Sequence, residues 1–150
     1  MASPRATIER LLGAKNAHDI ETFVACFDPG YVSEQPVHPD RAFGGVEQVR
    51  KNWSQLFSTL QDFHAELRAV SEDGETAWSE WHWTASQPDG TAFDWRGVMV
   101  MGIRGGLIAW ARLYMEPTEL AGEGIDGRAG HDLGLGPELG LALPYLALTP

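Results

Sequence analysis

Two hydrophobic periods divide this chain, one helical up to Asp62 and one strand-like after it. Ile8, Leu11 and Leu12 stand at helical spacing behind Ser3-Pro4, a residue pair suited to an N-cap and a first helical turn, which predicts a helix to about Lys15. Asn16 to His18 breaks the pattern. Asp19 can cap a second helix through Phe27, in which Ile20, Phe23 and Val24 are apolar. Asp28-Pro29-Gly30 reads as a turn, and Tyr31 to Gln35 as a short strand ended by Pro36 and Pro39. Gly44-Gly45 opens a third helix, whose apolar stripe is Val46, Val49, Trp53, Leu56, Phe57 and Leu60.

From Phe63 the period falls to 2. Phe63, Ala65, Leu67 and Ala69 form one face of a strand that carries His64, Glu66 and Arg68 on the other. Turn residues at Asp73-Gly74, Pro88-Asp89-Gly90 and Gly105-Gly106 join antiparallel neighbours. These elements compose an α+β fold. A four-stranded meander, to which the early strand can add, makes a bent, cone-shaped antiparallel sheet packed against three N-terminal helices. Residues 1–119 form that domain. Residues 120–150 are rich in Gly, Pro and Leu without helical or alternating order, and read as a flexible tail or as an arm covering a pocket or a partner.

The strands carry the candidate chemistry. Five of the six tryptophans lie between Thr76 and Glu116, together with Glu80, His82, Asp94, Arg96, Arg112 and Glu116. Alternation places Trp78, Glu80, His82 and Thr84 on one face of their strand and Ala77, Ser79, Trp81 and Trp83 on the other. A carboxylate walled by indoles loses water, which raises its pKa toward the working pH of a general acid or base, and a neighbouring imidazole can orient or relay the proton. The same pair on the wet side of an amphipathic sheet does nothing, and periodicity fits both. Glu34 and His38 stand on the early strand and the proline-rich loop after it, where they could assist at a pocket rim or lie in solvent. With Glu80 and His82 they could also ligate a metal, but no third ligand is fixed by spacing, so no metal is assigned. Trp53 and Phe57 belong to the core beneath the sheet or to a pocket wall. Arg112 and Glu116, four apart, suit a surface or interface ion pair.

Composition narrows the partners. A net charge of −10 without a basic stripe argues against nucleic acid and against acidic membranes, and no window approaches the roughly 18 apolar residues of a membrane span. Cys26 is the only cysteine, in an apolar helical setting, which predicts a buried inert thiol and needs no oxidising compartment. A cytoplasmic protein is expected. Neither a phosphate-cradling glycine loop nor a nucleophile elbow is present.

The order of elements, the segment YVSEQPVHPDRAFGGVEQVRKNW and the terminal GLIAWARLYMEP strand resemble the nuclear transport factor 2-like superfamily, nearest its SnoaL-like polyketide cyclases and limonene epoxide hydrolase. The resemblance covers about Ile8 to Glu119. It implies that Glu80 and His82 point into the cone, with Trp78, Trp95, Gly97, Met99, Leu113 and Met115 on the same lining. It also implies an acid at the end of the last strand, where Glu116 stands by spacing. The acid-base triad of the epoxide hydrolases is not matched: their Arg-x-Asp reads Glu80-Trp81-His82 here, their last-strand Asp falls on Leu113, and their water-positioning tyrosine and asparagine fall near Val32 and Glu34. Trp81, Trp83, Arg96, Trp110, Arg112 and Tyr114 are then expected on the outer face, pairing two copies as a homodimer. The function implied is a cofactor-independent isomerase, cyclase or dehydratase working by acid-base chemistry on an apolar carbonyl compound. The alternatives are a non-catalytic binder with the same pocket, an epoxide hydrolase-like enzyme with an altered triad, and a dimeric interaction module.

Overall fold

A computed structural model describes residues 3–127. The chain divides at Thr118 into two units, and of the second only residues 119–127 are among those described, so most of the expected tail lies outside them.

Helix α1 (Pro4–Ala17) begins as its sequence dictates. The Ser3 side chain accepts a hydrogen bond from the Ala6 amide, and Pro4 occupies the first turn. Its buried face runs through Ile8, Leu11 and Lys15. His18 ends it in the left-handed conformation at φ 52°, with its Nε2 2.8 Å from the Phe63 carbonyl and its ring stacked on Phe57. Asp19 caps the short α2 (Ile20–Val24) by accepting from the Thr22 amide, as its position predicts. The helix stops before Phe27, where strand β1 (Phe27–Glu34) starts.

Asp28-Pro29-Gly30 does not reverse the chain. It lies within β1, at a register shift between Phe27 and Val32, and Asp28 Oδ1 accepts the Gly30 amide at 2.8 Å. The turn chemistry makes a bulge in a strand that continues. A 3-10 turn at Pro39–Arg41 and the two-residue β2 (Phe43–Gly44) lead into α3 (Val46–Thr59).

Strands β3 (His64–Asp73), β4 (Thr76–Ser86), β5 (Ala92–Arg104) and β6 (Leu107–Pro117) form the expected antiparallel meander. The six strands lie in the order β2-β1-β6-β5-β4-β3, with β1 parallel to β6. The fold is α+β, with helices on one face of a mixed, open sheet. In the core, Phe23 packs on Trp53 at 4.7 Å between ring centroids, and Trp53 on Trp83 at 5.5 Å.

The facing of β4 is the reverse of that implied by the resemblance. Ala77, Ser79, Trp81 and Trp83 are buried toward the helices, Trp81 completely at 0 % exposure, while the Glu80 side chain is 54 % exposed on the outer face. The cause is energetic. Two indoles each bury roughly 150–250 Å² of mostly apolar surface, whereas turning the strand over would bury an unpaired carboxylate and imidazole in their place. The register enforces the choice, because Trp83 pairs with Trp95 and Ser79 with Met99, and paired residues share a face. Trp81 and Trp83 therefore leave the outer surface to which they were assigned.

Candidate active site

A cavity of about 340 Å³ lies between the helices and the inner face of the sheet. The sheet contributes Trp83, Trp95, Met99, Met101, Ala111, Leu113 and Met115; β1 contributes Phe27, Tyr31 and Ser33; and α3 contributes Val49, Asn52, Trp53 and Leu56. Of the expected substrate contacts, Trp53, Trp95, Met99, Leu113 and Met115 stand on this wall. Phe57 lies behind Trp53, among Phe23, Phe63 and His18. Trp78 is exposed on the opposite face of the sheet.

None of the five expected catalytic residues reaches the cavity, and no residue lining it is an Asp, Glu or His. Glu80, His82, Glu34 and Glu116 occupy even-numbered positions, which the strand register turns outward. The sheet brings two of them to new partners. His82 Nε2 lies 3.0 Å from Asp94 Oδ2, and His38 Nε2 lies 2.5 Å from Glu116 Oε1. Glu80 faces Arg68 at 3.9 Å. The Asp94 carboxyl is held down at about 2 by the Thr118 hydroxyl, close by but outside hydrogen-bond geometry, and by the His82 ring and Arg96 guanidinium. These groups form a charged row across β4, β5 and β6, where Arg68, Glu80 and Arg96 line an open hollow on the outer face.

The Arg112–Glu116 pair does not form. Four residues along a strand span about 13 Å, too far for the side chains to meet directly. Arg112 instead lies over the Trp110 ring at 4.6 Å, and Glu116 takes His38. Among the described residues no group of three His, Cys, Asp or Glu side chains could hold a metal ion. No helix among them is long and apolar enough to cross a membrane.

The polar groups of the cavity wall are ones the sequence reading passed over: Lys15, Tyr31, Ser33, Gln35 and Asn52. Lys15 is the unusual one. It is wholly buried, and its Nζ sits 4.0 Å from the centroid of Trp81, 4.4 Å from Trp83 and 4.9 Å from Trp53. Neither Nζ nor the Trp83 indole nitrogen has a hydrogen-bond partner among the described residues. Burial pushes the lysine well below its ordinary range, while Cys26 works in the opposite direction. Each indole face stabilises a cation by roughly 0.5–2 kcal/mol and so offsets part of that loss. The Tyr31 phenol is pushed up to about 12 by burial, with the Ser33 hydroxyl opposing, so it keeps its proton and serves as a donor. The signal for Lys15 was present in the periodicity. It continues the stripe of Ile8 and Leu11 at i+7, an apolar position occupied by a charge-bearing residue.

The family model described as SnoaL-like domain matches residues 8–111. The chain belongs to the SnoaL-like family. Solved structures similar to this SnoaL-like chain include a candidate SnoaL-like polyketide cyclase from Jannaschia sp. CCS1, at 19 % identity and TM-score 0.65 over 75 % of this chain and 85 % of that one. IdmH of Streptomyces antibioticus, a candidate polyketide cyclase, is 18 % identical with TM-score 0.67 over 77 % and 93 %. TsrD from Streptomyces laurentii is 22 % identical with TM-score 0.65 over 75 % and 87 %. At these identities the likeness is one of fold. No curated protein matches this SnoaL-like chain.

Proposed function

We propose that this SnoaL-like domain encloses an apolar, carbonyl-bearing small molecule and moves protons on it, as an isomerase, cyclase or dehydratase does. The observation that carries the reading is the cavity, whose apolar wall holds two buried donors without partners among the described residues, Lys15 Nζ and Trp83 Nε1. Ligand pockets generally run from about 300 to 1,000 Å³, mostly apolar with a few placed polar groups. A carbonyl oxygen would satisfy a donor whose burial is otherwise costly. The names of the relatives, polyketide cyclases among them, support a carbonyl-rich substrate. Lys15 is the proton carrier, because Tyr31 holds its proton too tightly to exchange it and the outward carboxylates have no access. A cytoplasmic setting suits the buried free thiol of Cys26.

The test is a panel of lactones, enones and aromatic ketones read by tryptophan fluorescence, since several indoles line the cavity. Trp95→Ala will weaken binding about tenfold, the loss of one aromatic contact. Glu80→Gln will leave both binding and turnover at the wild-type level. Abolished turnover in Glu80→Gln would return the chemistry to the outer face and end this proposal. One observation favours a non-catalytic binder with the same pocket, namely the lack of any cavity carboxylate or imidazole. That reading requires Lys15→Met to retain full function.

The outer sheet face supports a second copy of this chain as partner. Val32, Trp78 and Tyr114 are exposed there, beside Trp110 and Arg112, and the charged row of His82, Arg96 and Glu116 borders them. An apolar centre with a polar rim is the composition of a protein interface. Trp110 lies flat there because Gly102 has no side chain; a Cβ at that position would fall on the ring. Light scattering should give a dimer, and Tyr114→Asp a monomer of unchanged cavity affinity. A wild-type monomer at high concentration would refute the pairing.

A further inference from the structure

We infer that Lys15 is a nucleophilic amine that condenses with the carbonyl carbon of an aldehyde or ketone held in the cavity, forming an imine. The inference rests on the pocket reading above and adds covalent chemistry to it. Four observations converge. The amine is completely buried and meets no carboxylate or other hydrogen-bond acceptor among the described residues, so no hydrogen bond holds its proton in place. Lys15 lines the apolar cavity, where a carbonyl compound would be desolvated beside it. Three indole faces surround Nζ, and these attract the positive charge of a protonated imine without forming a bond to it. Trp83 Nε1, another unpartnered donor, is available to the carbonyl oxygen as charge gathers there. Burial also lowers the proton affinity of the amine, which favours a free lone pair for attack.

The step balances without an oxidant or reductant. The nitrogen lone pair forms the N–C bond while the C=O π electrons move to oxygen, which takes a proton from the nitrogen and gives a carbinolamine. The nitrogen lone pair then closes the C=N bond as the C–O bond breaks, and the departing hydroxide takes the proton remaining on nitrogen and leaves as water. One amine and one carbonyl become one imine and one water. Once it takes up a proton from solvent water, the imine draws electrons from the adjacent C–H bond more strongly than the parent carbonyl. That activation is what isomerising or cyclising a carbonyl compound demands.

Structural lysines are commonly paired with a carboxylate or extended toward water, and among the described residues Lys15 does neither. The flexible four-carbon stem lets the amine move from its resting place among the rings to a bound carbonyl carbon.

The chain supplies its own control. It has two lysines, Lys15 and Lys51, and Lys51 is exposed on α3. The whole protein is incubated at neutral pH with 2-naphthaldehyde, an apolar aromatic aldehyde, reduced with sodium borohydride and mapped by peptide mass spectrometry. Binding of the probe is followed in parallel by quenching of tryptophan fluorescence. The expected result is a secondary-amine adduct on Lys15, favoured over Lys51 by about tenfold or more, because burial leaves more of Lys15 as the free amine and the cavity concentrates the apolar aldehyde beside it. Excess 2-methylnaphthalene, which has the shape but no carbonyl, will suppress it. Quenching without an adduct on Lys15 overturns the imine and leaves the pocket reading standing. Absence of both overturns the two together. Labelling of Lys51 and Lys15 in equal amounts also overturns it, because a merely reachable amine would do the same. The wild-type result does not depend on a variant folding; Lys15→Arg, which keeps a cation among the rings, will give quenching and no adduct.

Discussion

Replacing Lys15 with methionine will stabilise the protein while removing its reactive amine. Methionine keeps most of the volume and packs well against aromatic rings, so no cavity opens. It deletes a buried amine that lacks a hydrogen-bond partner, a group whose burial costs about 1–3 kcal/mol. In a domain of this size that is a rise in melting temperature of roughly 3–10 °C. The pH dependence fixes the sign. Lys15 binds its proton less readily in the folded state than the ordinary 10.5 of the unfolded chain. Between the lowered folded value and 10.5 the unfolded chain therefore carries more protons, and wild-type stability climbs with pH across that window. The advantage of methionine is then greatest below the folded value and shrinks as pH rises toward 10.5. Tyr31, also in the cavity wall, is present in both proteins, whereas the charge interaction between Cys26 and the amine is lost with the lysine and forms part of the difference. Melting curves of the two proteins over a range of pH read the effect. A difference that stays flat with pH would show that Lys15 keeps its charge in the folded protein, and a fall in melting temperature would show that the cation is structural. A residue that weakens the fold where it stands, in the wall of the cavity between helices and sheet, is the mark of a functional position.

The fold was legible because its signals are redundant. The helix caps at Ser3 and Asp19, the change of period after Asp62 and three glycine-bearing turns all point to the same helices and meander. The site was half legible. The resemblance implied Trp95, Met99, Leu113 and Met115 on an inner lining, and Trp53 fell to the core or a pocket wall by its helical stripe; all five stand on the cavity wall. The facing of β4 could not be read from period alone, since an alternating strand looks the same from both sides. What decides it is register, and register depends on loop length. The β4–β5 connection leaves Ser86 opposite Ala92, which pairs odd with odd along the whole hairpin; one residue more or fewer would have paired Glu80 with an inward position. A single indole count would have helped, because the face bearing Trp81 and Trp83 has no charge at all between Ala77 and Ala85. Lys15 was missed for the opposite reason. It was used to mark the end of a helix, when its position seven residues after Ile8 placed it on the buried stripe.

The largest loss of stability is expected from Gly97→Ala on β5. Gly97 has φ +156°, a conformation that a side chain tolerates poorly, and an added Cβ would lie 2.0 Å from the Tyr114 carbonyl oxygen and 2.9 Å from Met115 Cα. Both obstacles belong to the backbone of β6, so no rotamer change relieves them. The neighbouring strand must move away, and it carries Leu113 and Met115, two residues of the cavity wall. Strain at such a site together with broken strand pairing costs at least about 3 kcal/mol. The melting temperature will fall by about 10 °C or more, and ligand affinity will fall with it because the wall recedes. Gly102→Ala provides the comparison. There the obstruction is the Trp110 ring, which can swing into the exposed outer face, so the alanine costs less and the cavity stays intact. Circular-dichroism melts of the two variants, followed by fluorescence titration, separate the cases. Gly97→Ala melting within about 2 °C of wild type would mean that β5 and β6 are not held this close at the bend, and that the inner wall is not built as described.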